Sequence, residues 1–298
     1  MAPSLKSLLT PELFSLMVES WIPYTKTESF SIGESVKRIL FAEDGGGNTG
    51  VREKVWPVLK MLSELGLNNA PDMMSFLAPV DSPEFPSQAL GLQLLLDQGP
   101  RVCLKGVDVR WISGYFDEIS LTFAQQLQSL PEDLRPSSWI QWKDSSTVEY
   151  FFWVRFLLSA PIVHHEKMGE AAAAFTEETR VFIEQQFAVR DQFRDLPELR
   201  WDLYGFPRML VERGPKTPCG QAEGCFWLLC LMDVHKPPLD NYGRYPYLNW
   251  RLGRVATAEE EEWMRKASVF APPPEEITNK IREDNEKGIW TPLGDTPA

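Results

Sequence analysis

Apolar side chains recur along this chain at intervals of three and four residues, the spacing of helices with one buried face. Val55, Val58, Leu59, Leu62 and Leu65 mark such a face across residues 51–67. Thr10-Pro11-Glu12 supplies a capping oxygen, a proline for the first helical position and an acid for the first turn, which predicts a helix to about Trp21. Further helices are expected from Glu34 to Ala42, from Ser82 through the apolar run Ala89–Asp97 to Pro100, and from Ile112 to Leu130, with a loop over 131–136. Ser146 or Thr147 caps a run (Tyr150, Phe151, Phe152, Trp153, Phe156) that is apolar on nearly every side and so belongs in the middle of the molecule. Glu166–Arg190, Leu199–Arg213 and Gln221–His235 continue the series, with a Gly/Pro-rich turn over 214–220 and Pro237-Pro238 expected to stop the last of them. Thr257 to Glu260 reads as a capping box opening a helix to about Lys266. Residues 274–287 form a charged, exposed helix, and the tail over 292–298 is expected to be loose.

Alternating runs are scarce. Val107–Trp111 (VDVRW) is the best strand candidate. The triple glycine inside Asp44–Asn48 lacks the following GK[ST] of a phosphate-binding loop and is expected to be a flexible connection. The fold class predicted is therefore all-α, one domain of about ten helices over residues 1–298, with at most one short strand or hairpin and no strict internal repeat.

Composition narrows the function. Apolar residues at 43% and charged residues at 24% are ordinary for a globular protein, but 11 Trp and 17 Phe exceed what a small core needs and suggest a large core, an aromatic-lined pocket, or both. The net charge of -12, with no basic run, argues against nucleic acid or an anionic membrane as partner. No stretch of about 18 apolar residues is present, and Met1–Leu9 is too polar for a signal peptide. Cys103 and Cys230 sit among apolar neighbours, and the spacing of Cys219 and Cys225 does not suit zinc, so a reduced, cytoplasmic setting is expected.

Three constellations could carry chemistry. In LLLDQGPR, Asp97, Gln98 and Arg101 gather at the end of an apolar helix, where the dipole disfavours an acid, so Asp97 needs a partner and Arg101 can supply one. Such a pair either fixes the helix end or anchors a substrate. In PIVHHE, His164 and His165 point about 100° apart on a helix, so only one faces a given pocket; Glu166 is close enough to orient an imidazole. The segment His235–Asn249 packs His235, Asp240, Tyr242, Arg244, Tyr245, Tyr247 and Asn249 into an expected loop. No dinucleotide, kinase, G-x-S-x-G or Cys-rich motif is present, and no cofactor is predicted.

Taken together these segments resemble the domain-of-unknown-function family numbered 924, a bacterial and fungal group with a helical, tetratricopeptide-like fold. Its pattern of LLLDQFPRN, an RG pair and an Asp is similar to LLLDQGPRV here, with Lys105-Gly106 and Asp117 following. Its PFMHSEDL is similar to PIVHHEKM, which favours His164 over His165 as the inward residue. Its C-terminal His, FGRFPHRN, LGR and T-x-E-E are similar to His235, Tyr242-Gly243-Arg244-Tyr245-Pro246-Tyr247-Leu248-Asn249, Leu252-Gly253-Arg254 and Thr257. The resemblance is clearest over 87–263; residues 1–50 are diverged. The PHRN histidine is Tyr247 here, and Gly99 replaces an aromatic, a change expected to open space beside Asp97.

Two functions are compatible with this reading. In the first, the chain is a small-molecule enzyme of a specialised pathway: a cofactor-independent cyclase, isomerase or hydrolase. His164, Glu166, His235 and Asp97 are the catalytic candidates. Arg101, Gln98, Arg244, Tyr242, Tyr247, Asn249 and Trp153 are the substrate-binding candidates. A metal-dependent variant would use His164, Glu166 and His235. In the second, the helices form a scaffold that presents an open groove to a peptide or protein. A deep pocket holding both His164 and His235 favours the enzyme.

Overall fold

A computed structural model of the chain describes residues 4–41, 49–270 and 273–297. Helix follows helix: α1 (Leu5–Leu8), α2 (Pro11–Trp21), α3 (Ile32–Leu40), α4 (Thr49–Leu65), α5 (Phe85–Cys103), α6 (Asp117–Ser129), α7 (Val148–His164), α8 (Gly169–Phe187), α9 (Pro197–Arg200), α10 (Gly205–Glu212), α11 (Gln221–Asp233), α12 (Lys236–Tyr242), α13 (Ala258–Ala267) and α14 (Glu275–Glu286). No strand occurs among the described residues, so the fold is all-α. No helix among them is long and apolar enough to cross a membrane. The triple-glycine segment Asp44–Asn48 and the Ala42 end of the second expected helix lie outside the described residues.

Capping chemistry sets the helix starts. Thr10 Oγ1 accepts from Leu13 N at 3.3 Å and Thr147 Oγ1 from Tyr150 N at 3.2 Å, each satisfying an amide that no helical carbonyl can reach. At α13 the box is reciprocal: Glu260 N donates to Thr257 Oγ1 at 3.2 Å and Thr257 N donates to Glu260 Oε2 at 2.7 Å.

The core is built around α5 and α7. Helix α5 packs on α2, α4, α6 and α7. Gly91 permits a close approach to α2, because a Cβ there would lie 2.3 Å from the Phe14 carbonyl oxygen. Helix α7 buries Tyr150, Phe151, Phe152 and Trp153 together, as an all-round apolar helix must. Each such side chain contributes about 2 kcal/mol on leaving water.

Four expectations are corrected. Pro100 does not end its helix; α5 runs on to Cys103, which places Arg101 in the last helical turn. Val107–Trp111 is not a strand: Gly106–Val109 is a 3-10 turn and Ile112–Phe116 a π-helical turn leading into α6. A lone extended segment would leave its amides and carbonyls unpaired, whereas tight turns close their own hydrogen bonds. The helix before Pro237-Pro238 does end, at Asp233, but the prolines do not begin a loop: they open α12, since the first turn needs no amide donor. The Glu166–Arg190 and Leu199–Arg213 segments are each broken, into the 3-10 turn Glu166–Met168 followed by α8, and into α9 and α10.

The C-terminal stretch is also not loose as far as residue 294. Trp111 Nε1 donates to Thr291 O at 3.1 Å, Trp56 Nε1 to Gly294 O at 3.1 Å, and Leu293 N to Ser63 Oγ at 2.9 Å. Trp290 packs edge-on against Trp111 with ring centroids 5.1 Å apart. Arg110, fully buried, pairs with Asp284 of α14 at 2.6 Å. This strap binds residues 290–294 to α4 and to Trp111, just before the π-helical turn.

Candidate functional site

Three strands of sequence signal meet at one place. Asp97 lies on α5 and is 1% exposed. His164 is the last residue of α7, and His235 sits in the joint between α11 and α12. The joint is held from behind by a buried ion network: Arg180 of α8 binds Asp191 and Asp233 at 2.5 Å each, and Arg200 binds the same Asp233 oxygen at 2.8 Å. That fixes the end of α11 two residues before His235.

His164 Nδ1 stands 3.0 Å from Asp97 Oδ1. Burial alone would raise the Asp97 carboxyl, but Arg101 and His164 outweigh it and hold the acid at about 2. An ionised carboxylate only accepts, so Nδ1 carries the hydrogen and Nε2 keeps its lone pair. Nε2 makes no hydrogen bond to the described protein. Gln98 Nε2 donates to Asp97 Oδ2 at 2.5 Å, filling the other oxygen. Arg101 donates to the Asp97 backbone oxygen at 2.5 Å and to Asp117 Oδ1 at 2.7 Å, and sits 3.3 Å from Asp97 Oδ1. Arg101 thus fixes the helix end and bridges two acids, leaving little of its guanidinium for a ligand.

His235 is the second imidazole. Its Nδ1–H donates to Leu231 O at 2.7 Å, so its Nε2 is an acceptor. Burial, reinforced by the nearby His164, pushes its pKa down to about 3, so the ring stays neutral. Both histidines line a cavity of about 390 Å³, together with Arg101, Asp117, Phe206, Tyr247, Arg251 and Phe270. Tyr247 stacks between Tyr245, at 5.1 Å, and Phe270, at 4.7 Å. Burial drives its phenol pKa well up, so it keeps its proton, and no described residue accepts it. A second cavity, of about 550 Å³, adjoins the first through Trp250 and Phe270 and is lined also by Asn249, Met264, Thr278 and Arg282.

Not every expected site residue belongs here. Glu166 does not orient His164: Arg254 takes both its oxygens, at 2.7 and 2.8 Å, and Tyr245 N donates to it at 2.8 Å. It clasps the end of α7 to the turn carrying Tyr247, and it is not free to complete a metal set with the two histidines. Among the described residues no group of three or more His, Cys, Asp or Glu is placed to hold a metal ion. Arg244 binds Glu260 at 2.5 and 2.7 Å, and Asn249 reaches the same acid at 3.1 Å, so both secure α13. Of these two cavities Asn249 borders the second and not the first. Tyr242 lies edge-on to Trp263 with centroids 6.4 Å apart, outside both cavities. Trp153 is fully buried and donates to Ser35 Oγ at 2.9 Å, a core contact. Gly99 does not open space beside Asp97; a Cβ there would meet Val55 of α4 at 3.0 Å, on another face of α5. His165 turns away to Glu118 at 3.0 Å, as the two-direction argument predicts.

Arg251 is the site residue that sequence reasoning missed. It lines the chamber, lies over the Trp250 ring with 5.2 Å between the guanidinium carbon and the ring centroid, and forms no hydrogen bond or ion pair with the described residues. Its position shortly after the matched Asn249, between an aromatic and the LGR segment, was the available signal.

No curated protein and no solved structure matches the chain. One family model matches residues 77–268, which contain Asp97, His164, His235 and Tyr247, and reaches past both ends of the 87–263 segment expected from the motifs. That match covers more than half of the 298 residues, and the chain belongs to the family it describes, bacterial protein of unknown function (DUF924).

Proposed function

We propose that this protein is an acid/base enzyme acting on a small molecule, with His164 as the group that takes and returns the proton. The observation that carries the reading is the Asp97–His164 pair, 3.0 Å apart, at the wall of a cavity of about 390 Å³ that also contains His235. Asp97 fixes the imidazole tautomer and would carry the opposite charge when Nε2 accepts a proton. His235, neutral and with its Nε2 unprotonated, can accept a hydrogen bond from a substrate hydroxyl or N–H without competing for the proton. The Tyr247 phenol supplies a donor for a developing oxyanion. His164 is the acid/base residue, Asp97 orients it and balances its charge, and His235 and Tyr247 position the substrate. Glu166 and Arg101 hold the frame.

A cofactor-independent isomerisation, cyclisation or hydrolysis within a specialised pathway fits this set, because each can proceed by proton transfer beside a stabilised oxyanion. A peptide-binding scaffold would instead present its polar residues along an open groove. Here both histidines lie in one aromatic-walled chamber within the size range of small-molecule sites.

The test is an untargeted conversion assay. Purified protein is incubated with a pooled small-molecule extract and the pool is followed by mass spectrometry. A compound consumed by wild type and spared by His164→Gln, at equal melting temperature, supports the proposal. Equal consumption by both, or none by either across extracts, refutes it.

A further inference from the structure

The chamber holds two arginines in opposite situations. Arg101 is saturated, with Asp97 on one side and Asp117 on the other. Arg251 faces the same space with no acid, carbonyl or hydroxyl of the described residues bonded to it. Arg251 is part-buried, its Nε is shut off from water without an acceptor, and its charge also feels Arg101, so an anion would be favoured beside it. Burial first, and then that like charge, push the Arg251 pKa down by more than Asp117 and Tyr247 raise it, and an added anion would raise it again. Around it lie flat aromatic faces: Trp250 beneath the guanidinium, and Tyr247, Phe206 and Phe270 across the chamber. The Tyr247 hydroxyl adds one neutral donor.

From this arrangement we infer that the ligand of the chamber is an organic carboxylate with an apolar body, its carboxylate seated on Arg251 and its body lying against Phe206 and Phe270, which leaves the Tyr247 hydroxyl for the oxyanion. The planar guanidinium matches a carboxylate in two-point geometry. A phosphate would bring a second negative charge toward Asp117 with no further unpaired cation in the chamber, among the described residues, to meet it. The inference rests on the small-molecule reading above and narrows it: the anionic group gives an orientation, and the proton handled by His164 belongs to a carbon or heteroatom held beyond the carboxylate.

The probes are phenylacetate, its neutral isostere phenylacetamide, and phenyl phosphate, followed by calorimetry and by tryptophan fluorescence. Wild type is expected to bind phenylacetate at least about 10-fold more tightly than phenylacetamide, the range of one charge-assisted pair. Arg251→Gln should bind the two alike, and Arg251→Lys should keep part of the preference, with circular dichroism confirming that each variant is folded. Arg282→Gln, in the adjoining cavity, should leave the preference intact. No saturable binding of phenylacetate, a preference that survives in folded Arg251→Gln, or one erased by Arg282→Gln would overturn the inference. Tighter binding of phenyl phosphate than of phenylacetate would overturn its choice of carboxylate. His164→Gln should keep the binding preference while abolishing turnover. A conversion insensitive to His164 would therefore sink the acid/base reading alone, and a missing preference would sink the carboxylate seat alone.

Discussion

Acidifying the protein from about pH 7 to about pH 5 probes the tautomer argument at His235. In the fold this ring has its pKa pushed from 6.5 to about 3, chiefly by burial and then by His164. Between those two values the unfolded chain binds a proton that the folded chain refuses. Stability therefore rises with pH through this window, is fully present above 6.5, and is lost as pH falls toward 3. Each tenfold difference in proton affinity between the folded and unfolded chain is worth about 1.4 kcal/mol, so acidification to about pH 5 should cost about 2 kcal/mol through this group. The assay is urea unfolding followed by tryptophan fluorescence, on wild type and on His235→Gln. The variant loses the Leu231 hydrogen bond and starts weaker, but its stability should fall by about 2 kcal/mol less over the same interval. A nitrogen-detected titration of the ring gives a second reading, with Nε2 expected to remain unprotonated at about pH 5. Parallel losses in wild type and variant, or an Nε2 titration midpoint near the ordinary histidine value, would refute the reasoning.

Asp97 acts at lower pH: its carboxyl is held at about 2 instead of 3.8, so its contribution is present above 3.8 and lost as pH falls toward 2, and Asp97→Asn should flatten that part of an acid-unfolding curve. Gly91→Ala should destabilise by about 3 kcal/mol in chemical unfolding, because its Cβ would meet a backbone oxygen at 2.3 Å. Gly99→Ala, whose Cβ meets only the Val55 methyl at 3.0 Å, should cost less than about 1.5 kcal/mol; the reverse order would show that the α2–α5 contact is misjudged. Glu166→Gln leaves the Asp97–His164 pair untouched, so the pH profile of any turnover should keep its shape while the melting temperature falls; a shifted profile would return Glu166 to the proton-transfer machinery.

Local signals in the sequence translated well. Thr10, Thr147 and Thr257 cap helices as expected because a cap depends on residues three positions away, not on the rest of the fold. The alternation at Val107–Trp111 misled because period-two spacing speaks of a strand only where a neighbour supplies the ladder, and that is decided elsewhere in the chain. Pro237 misled because the same missing amide that stops one helix suits the first turn of the next. At the site, Asp97, Gln98, Arg101, His164, His235 and Tyr247 were legible as chemistry-bearing side chains in ordered segments, and they converge. Glu166, Arg244 and Asn249 looked equivalent to them in sequence, but their partners, Arg254 and Glu260, could be known only from the packing of the 245–260 region. Arg251 escaped notice for the opposite reason. What singles it out is the lack of a partner, and no spacing pattern records that.

The strap formed by residues 290–294 has a consequence for the order in which the molecule can be finished. Its hydrogen bonds join positions 238, 230 and 180 residues apart along the chain. On a ribosome, the indole N–H groups of Trp56 and Trp111 emerge long before the carbonyls of Gly294 and Thr291 that accept from them. Until those arrive, an edge of the nascent protein exposes tryptophan and unpaired donors, which suits capture by a chaperone. Contacts so distant in sequence also slow folding, since a long loop must close before any of them forms. The strap is thus a latch that can shut only when synthesis has passed residue 294, and until then the helices carrying Asp97 and His164 must hold together without it.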